Sequence, residues 1–121
     1  MSKILLVEDN EMNRDMLSRR LIRSGYEVDL AVDGEQGVAL AASGRPDLVL
    51  MDMSLPVVDG WTVLKALKSD PQLSDIPVVM VSISDDRDRG LAMGAADYFV
   101  KPVDRDRLAE ILAAYRSGAL A

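Results

Sequence analysis

Leu48-Val49-Leu50-Met51-Asp52 is a run of four apolar residues that ends in a carboxylate, with turn-forming residues on both sides. A short apolar run between turn signals is typical of a strand that is buried on both faces. Two further runs have the same form: residues 4–7, which lead into Glu8 and Asp9, and residues 78–81, which lead into Ser82.

These three predicted strands each end in side chains that carry oxygen. In an open parallel sheet, functional sites form at the carboxyl ends of the strands. If the three strands are neighbours, we expect a single cluster at that edge, formed by Glu8, Asp9, Asp52 and Ser82.

Strands and helices alternate along the rest of the chain. Apolar runs and period-two patterns predict strands at residues 3–7, 27–32, 48–52, 78–81 and 98–100. Helical spacing and capping residues predict five helices, which begin at Asn10 or Glu11, after Asp33-Gly34, at Gly60, at a Ser84 cap and at an Asp104 cap. Gly25 is expected to end the first helix in the left-handed conformation.

This alternation predicts an α/β domain with a parallel sheet. Because crossovers between parallel strands are right-handed, the expected topology is a doubly wound (βα)5 sheet. The second strand reads as a half-buried edge strand whose inward side carries Val28, Leu30 and Val32. The length of 121 residues predicts one domain, residues 1–121.

Composition excludes several classes of site. The chain has no Cys and no His, which excludes disulfides, thiolate or imidazole metal ligands, Cys nucleophiles and Ser–His triads. A net charge of −6 argues against direct binding to nucleic acid, because phosphate backbones repel an acidic chain. No signal peptide and no apolar stretch of about 18 residues is present. We therefore expect a cytoplasmic protein without membrane insertion.

The predicted acidic cluster favours a hard cation. Carboxylates without histidine suit Mg²⁺, which binds one or two carboxylates together with water and phosphate. Asp52 is also a candidate nucleophile, because aspartyl phosphates are a known covalent form. Taken singly, Glu8 and Asp9 are explained equally well as acids beside a helix N-terminus, and Asp52 as a loop acid. Together, three acids at adjacent strand ends repel one another without a cation, which favours a functional site.

Two further side chains are candidates at the same edge. Lys101 follows the fifth predicted strand, from where its ammonium can pair with a phosphate; the alternative is an ordinary surface lysine. Ser82, taken alone, is better explained as a strand-end hydroxyl bonded to backbone. Tyr98 and Trp61 are typical of core or half-buried positions.

Five motifs, in order and at family spacing, resemble the receiver domain of bacterial response regulators of the chemotaxis-regulator type. They are Val7-Glu8-Asp9-Asn10, Leu50-Met51-Asp52-Met53-Ser54-Leu55-Pro56, Asp59-Gly60, Val81-Ser82 and Gly94-Ala95-Ala96-Asp97-Tyr98-Phe99-Val100-Lys101-Pro102. The resemblance covers essentially the whole chain. It implies a flavodoxin-like sheet with strand order 2-1-3-4-5 and a part in two-component signalling.

The resemblance also implies which residues accept phosphate and hold metal. Asp52 is the expected phosphoacceptor, with a histidine kinase or a histidine phosphotransfer protein as the donor. Mg²⁺, with Mn²⁺ as a possible substitute, is expected on Asp9, Asp52 and the backbone carbonyl of Ser54, and on Glu8 through a bound water.

A switch is implied in the same way. Ser82 and Lys101 are expected to contact the phosphoryl oxygens, and Tyr98 to turn inward as Ser82 moves toward the phosphate. The face formed by the fourth helix, fifth strand and fifth helix then changes its affinity for a downstream protein. Such a chain promotes its own Mg²⁺-dependent phosphotransfer and dephosphorylation, but it acts as a switch and not as an enzyme.

One residue departs from the family pattern. The residue after Ser82 is usually very small in this family, and here it is Ile83. We expect its stiff, β-branched side chain at the rim of the pocket around Asp52, where it slows the approach of small phosphodonors and water. The alternative places Ile83 in the core between helix and sheet, without a gating role.

Other functions fit the pattern less well. A phosphatase of the dehalogenase-like class needs a second Asp two residues after the nucleophile, and that position is Ser54. A flavodoxin-like carrier needs an uncharged phosphate loop where this chain has Glu8-Asp9-Asn10-Glu11. A pseudo-receiver that never cycles is disfavoured by the full set of acids, Ser and Lys. The chain is expected to be either a stand-alone receiver or a module of a larger hybrid kinase or multidomain regulator.

Overall fold

Five strands and five helices alternate in the computed structural model, which describes residues 3–55, 58–101 and 105–116. The strands are β1 (Lys3–Val7), β2 (Glu27–Ala31), β3 (Leu48–Asp52), β4 (Val78–Ser82) and β5 (Asp97–Val100). The helices are α1 (Glu11–Arg23), α2 (Gly34–Gly44), α3 (Gly60–Ser69), α4 (Arg87–Ala92) and α5 (Arg105–Arg116). The α/β alternation predicted from the sequence is therefore confirmed.

All strand pairs are parallel, and the sheet has the order β2-β1-β3-β4-β5. The doubly wound topology and the strand order are thus both confirmed. Every residue of β3 and of β4 is buried, as expected for central strands with helices on both faces. Among the described helices, none is long and apolar enough to cross a membrane.

The core lies in two layers, one on each face of the sheet. One layer joins alternate strand residues such as Val7 and Met51 to Leu64 of α3 and Ala41 of α2. The other layer joins the intervening strand residues to Leu21 of α1 and to Leu108 and Leu112 of α5. Because successive strand side chains point to opposite faces, the apolar runs of the sequence supply both layers at once.

Side-chain caps fix the starts of three helices. Asn10, Asp33 and Asp59 each accept a hydrogen bond from the backbone N–H three residues later, at 2.8–2.9 Å. Such caps contribute about 1 kcal/mol each. Gly25 follows the end of α1 with φ 95°, in the left-handed region that glycine tolerates best. The predicted start and end of α1 are therefore confirmed.

The predicted start of α4 is wrong. The sequence placed the N-cap at Ser84, whereas α4 begins at Arg87 and Asp86 occupies the cap position without a side-chain cap bond. The physical reason is that the backbone of Ser84 is engaged elsewhere. Its N–H donates to Ser82 Oγ at 3.1 Å, and its carbonyl oxygen accepts from the Tyr98 hydroxyl at 2.8 Å. The predicted Asp104 cap of α5 lies outside the described residues.

The inward side predicted for β2 is also only partly right. Val28 packs on the core, but Leu30 is 45% exposed and Val32 is 39% exposed, whereas Ala31 is fully buried. An edge strand has a neighbour on one side only, so its outer apolar residues stay partly in water. The small Ala31, which the sequence pattern ignored, fits into the core instead.

Candidate functional site

The site lies at the carboxyl edge of the sheet, where four strands end. Glu8 and Asp9 follow β1, and Asp52 and Ser82 are the last residues of β3 and β4. Lys101 follows β5, and its backbone N–H continues the parallel ladder by donating to the Ser82 carbonyl at 2.7 Å. The parallel sheet thus brings to one edge residues that span positions 8 to 101 of the sequence.

The three acids form a tight cluster. Glu8, Asp9 and Asp52 each contribute one carboxylate oxygen, and these oxygens lie within 4.8 Å of one another. Glu8 and Asp52 are buried, whereas Asp9 is exposed. Within the described part of the chain, Glu8 Oε2 is buried and has no hydrogen-bond partner. Buried polar atoms are nearly always paired, so an unpaired buried oxygen is unusual. It is available as a hydrogen-bond acceptor or as a metal ligand.

Asp52 is held by a contact on each carboxylate oxygen. Lys101 Nζ donates to Oδ2 at 2.7 Å, and the backbone N–H of Ser54 donates to Oδ1 at 2.9 Å. The Asp52 side chain is 8% exposed and that of Lys101 is 30% exposed. These contacts fix the orientation of the Asp52 carboxylate, which lines a cleft.

Burial and like charges shape the electrostatics of the cluster. The pKa of Glu8 is raised from 4.5 to about 7, chiefly by its burial, and further by the charge and the hydrogen bond of Asp52. Burial lowers the pKa of Lys101, but the hydrogen bond and charge of Asp52, with the charges of Glu8 and Asp9, outweigh it and raise the pKa overall. At neutral pH a fixed ammonium therefore faces acids that repel one another.

This donor set fits a hard divalent cation. Mg²⁺ prefers oxygen ligands and retains water on its open positions, and the cluster offers three carboxylate oxygens, one of them buried and unpaired. The pKa of Glu8 is raised chiefly by burial and in part by repulsion from Asp52, and a bound cation relieves that repulsion. Ser54 lies beside Asp52 through the backbone bond to Oδ1; a metal contact from its carbonyl stays a prediction.

Ser82 and Tyr98 meet through the backbone of Ser84. Ser82 is buried, and its Oγ accepts from the Ser84 N–H. The Tyr98 side chain is already turned inward and is 1% exposed, with its hydroxyl donating to the Ser84 carbonyl; an inward turn coupled to movement of Ser82 stays a prediction. One residue of the β4–α4 loop therefore joins the expected phosphate-binding hydroxyl to the expected switch aromatic.

Ile83 lies in the same loop, and its side chain is 74% exposed. This exposure contradicts the alternative in which Ile83 packs into the core. A cleft of about 660 Å³ opens beside Asp52, Glu8 and Lys101, and its walls, among the described residues, do not include Ile83. A role for Ile83 at the rim of the phosphorylation pocket stays a prediction.

A model of the response regulator receiver domain matches residues 4–113 of the chain. The chain belongs to this family. Among curated relatives of this receiver domain, Protein PilH of Pseudomonas aeruginosa is 37% identical over 121 residues, which cover 98% of this chain and 100% of PilH. Response regulator PleD of Caulobacter vibrioides is 42% identical over 106 residues, which cover 85% of this chain but 23% of PleD. The chain spans half or less of several other curated relatives.

Two solved receiver domains bear on the site and its partners. The receiver domain of the sensor histidine kinase PA1611 from Pseudomonas aeruginosa has a TM-score of 0.85 and 35% identity, covering 94% of this chain and 96% of that one, and has a magnesium ion coordinated in its active-site cleft. The receiver domain of Saccharomyces cerevisiae Ssk1, solved with the histidine phosphotransfer protein Ypd1, has a TM-score of 0.86 and 25% identity, covering 94% and 88%.

Receiver domains bind Mg²⁺ at an acidic pocket and interact with histidine kinases or phosphotransfer proteins. They act as switches in two-component signalling and not as classical enzymes.

The structure of this receiver domain also shows a residue that the sequence analysis missed. Arg14, in the second turn of α1, donates from Nη1 to the carbonyl oxygens of Glu8 at 3.0 Å and of Asp9 at 3.3 Å. It thereby fixes the backbone that carries both acids. From sequence alone, an arginine on an amphipathic helix is expected on the solvated face. The one available signal was that Arg14 lies five residues after Asp9, one helical turn into α1.

Proposed function

We propose that this receiver domain accepts a phosphoryl group on Asp52 from a histidine kinase or a histidine phosphotransfer protein, and that the modification changes its binding to a downstream protein. The observation that carries the proposal is the setting of Asp52. Its carboxylate is clamped between Lys101 Nζ and the Ser54 N–H, beside two further acids. Clusters of buried carboxylates with a charged partner are typical of functional sites.

In the proposed transfer, an oxygen of Asp52 attacks the phosphorus of a phosphohistidine in line with the bond that breaks. The O–P bond of an acyl phosphate forms, the N–P bond breaks, and the electron pair returns to the imidazole nitrogen of the donor. Lys101 stays protonated, because the surrounding acids raise its pKa, and its ammonium can follow the negative charge from the carboxylate to the phosphoryl oxygens.

A metal at the acids supports this step. When bound, Mg²⁺ supplies positive charge that offsets the repulsion between the acids and the phosphoryl group. Asp9 and Asp52 are the proposed direct ligands, with the carbonyl of Ser54, and Glu8 acts through water. We include Mn²⁺ as a substitute, since it prefers the same oxygen ligands.

The proposed switch begins at Ser82. Its Oγ accepts a hydrogen bond from Ser84, so its own proton remains available for a phosphoryl oxygen. When Ser82 moves toward the phosphate, it shifts the backbone of Ser84, which donates to its Oγ. The carbonyl of Ser84 also accepts from the Tyr98 hydroxyl, so this shift reaches Tyr98. The face formed by α4, β5 and α5 is then the proposed docking surface for a downstream protein. Water attack on the acyl phosphate, assisted by the same residues, ends the signal.

We also propose that residues 1–121 form one receiver domain that works in the cytoplasm, where ATP-dependent kinases can charge it. It serves either alone or as a module of a hybrid kinase or multidomain regulator. Both arrangements occur among its relatives, since the match covers 100% of PilH but 23% of PleD.

The test is phosphotransfer from a panel of autophosphorylated histidine kinases to the parent and to Asp52→Asn. We expect a hydroxylamine-labile phosphoryl group on the Asp52 peptide of the parent and none on the variant. Asp59→Asn is the matched control, because it also replaces an aspartate by asparagine and keeps an oxygen for the α3 cap. Undiminished labelling of Asp52→Asn with the parent's kinases would move the site elsewhere.

The switch has its own test in Ser82→Ala. This variant should still be phosphorylated, because the acids and Lys101 remain, but phosphorylation should change partner binding less than in the parent. Affinity for a captured downstream partner is measured with and without the phosphoryl group. Full coupling in Ser82→Ala would contradict the proposed path from Ser82 to Tyr98.

A further inference from the structure

Three side chains from three different elements form a stack beside the site. The rings of Trp61 from α3 and Tyr98 from β5 lie with their centroids 6.5 Å apart and their planes at 22°. Arg89 from α4 places its guanidinium carbon 4.1 Å from the centroid of the Trp61 ring. The geometry combines offset aromatic stacking with a cation–π contact, so α3, α4 and β5 are joined at one point.

The Tyr98 ring is enclosed from other directions as well. A Cβ at Gly90 would lie 2.7 Å from Tyr98 Cδ2, so the backbone of α4 packs directly on the ring. The hydroxyl is tied to the carbonyl of Ser84. The side chain therefore leaves its place only if α4, the β4–α4 loop or Trp61 gives way.

Helix α4 has little stability of its own. It has six residues, and its cap residue makes no side-chain cap bond. Isolated helices of this length do not persist in water, so contacts with the rest of the fold must position it. Arg87 supplies one anchor on β5, through a bond to the Tyr98 carbonyl at 2.9 Å and an ion pair with Asp97 at 3.2 Å. Arg89 supplies a second anchor, on α3.

We propose that Arg89 and Trp61 are positioning residues that hold Tyr98 buried and α4 seated against β5. The stack sets the equilibrium between the inward and outward positions of the Tyr98 side chain. It thereby sets how much a movement of Ser82 changes the position of α4. This inference rests on the proposed function for its signalling consequence, but the contact itself is testable without phosphorylation.

The test measures how often the Tyr98 phenol reaches solvent. N-acetylimidazole acylates exposed tyrosines, and a buried one reacts in proportion to the population of open forms. The rate at Tyr98 is read by peptide mass spectrometry, with the buried Tyr26 as the internal reference for global unfolding. A surface cation–π contact is worth about a two- to fivefold change in an equilibrium, so Arg89→Ala should raise the ratio of the Tyr98 rate to the Tyr26 rate by that factor.

Three further variants sharpen the result. Trp61→Leu keeps an apolar side chain but removes both ring contacts, and should raise the ratio at least as much as Arg89→Ala. Arg89→Lys keeps the charge without the planar guanidinium, and should fall between the parent and Arg89→Ala. Arg107→Ala is the control, since it also removes an arginine placed over a ring, that of Phe99 at 5.8 Å, and should leave the ratio unchanged.

The proposal is overturned if Arg89→Ala and Trp61→Leu leave the ratio at its parental value, or if Arg107→Ala raises it equally. A parallel rise at Tyr98 and Tyr26 in the two test variants would also overturn it, because the stack would then serve stability alone. The reaction needs no phosphodonor, so failure of the stack and failure of Asp52 as phosphoacceptor give separate results.

Discussion

Replacing Glu8 by Gln should remove a pH-dependent cost that burial of this carboxyl beside Asp52 imposes on the folded protein. The pKa of Glu8 is raised from 4.5 to about 7 by burial and by Asp52, so the folded state holds its proton more tightly than the unfolded state does. By linkage, stability then falls as pH rises from about 4.5, and the loss is complete above about pH 7. Glu8→Gln keeps the shape of the side chain but cannot ionise, and should lack this loss.

The size of the effect follows from the two pKa values. One pKa unit corresponds to about 1.4 kcal/mol, so a rise from 4.5 to about 7 amounts to about 3 kcal/mol of stability lost at pH 8. At that pH, Glu8→Gln should be more stable than the parent by up to this amount, or by about 10 °C in Tm for a domain of this size. At pH 4.5 the two proteins should differ by less than about 0.5 kcal/mol.

The assay is urea unfolding at several pH values between 4.5 and 8, with EDTA present to remove divalent ions. Glu35→Gln is the matched control, because Glu35 is exposed on α2, and it should follow the parent at every pH. A second series with millimolar Mg²⁺ should flatten the parent's pH dependence, since a bound cation relieves the same repulsion. Parallel stability curves for the parent and Glu8→Gln in EDTA would refute the crowded-carboxylate argument.

Three further variants test single contacts. Ile83→Ala should leave the free energy of unfolding within about 0.5 kcal/mol of the parent, because the side chain is 74% exposed. It should speed both acetyl-phosphate labelling and loss of the phosphoryl group. Unchanged rates would show that Ile83 does not lie at the pocket rim. Arg14→Ala should weaken Mg²⁺ binding, measured by Trp61 fluorescence, because the carbonyls it braces carry the acids; an unchanged Mg²⁺ affinity would show the brace to be dispensable. Gly60→Ala should cost about 1–3 kcal/mol in urea unfolding, because its Cβ would lie 2.7 Å from Met53 Cα, immediately after Asp52; a smaller cost would mean that this loop yields easily.

The sheet and the clustering of acidic residues at its carboxyl edge were predictable because they depend on local patterns. Runs such as Leu48-Val49-Leu50-Met51-Asp52 mark central strands by their continuous apolar character, and the carboxyl ends of parallel strands share one edge. The fourth helix was placed less well, since propensity favoured Ser84 as a cap while tertiary hydrogen bonds claimed its backbone. Edge residues such as Leu30 were misassigned because period-two alternation does not show how far a helix covers the outermost strand.

Contacts between distant elements were beyond the reach of the sequence. The stack of Arg89, Trp61 and Tyr98 joins three elements. Considered one at a time, the sequence predicts a solvated charge for the arginine and core positions for the two aromatic residues. The brace from Arg14 was hidden in the same way. The 2.7 Å contact between Lys101 and Asp52 was anticipated only as proximity to a shared phosphate, because a motif gives residue types and spacing but not the direction in which a long side chain points.

The span of the site along the chain also has a consequence during synthesis. Glu8 is synthesised before Lys101, which follows β5, and at about 5–20 residues per second the ribosome needs about 5–20 seconds to travel between them. Until β5 has paired with β4, the acids face one another without their lysine, and the parallel sheet, built from non-local pairings, is slow to close. The complete set of contacts around Asp52, with Lys101 on one carboxylate oxygen, therefore forms only after β5 has been synthesised and has paired with β4.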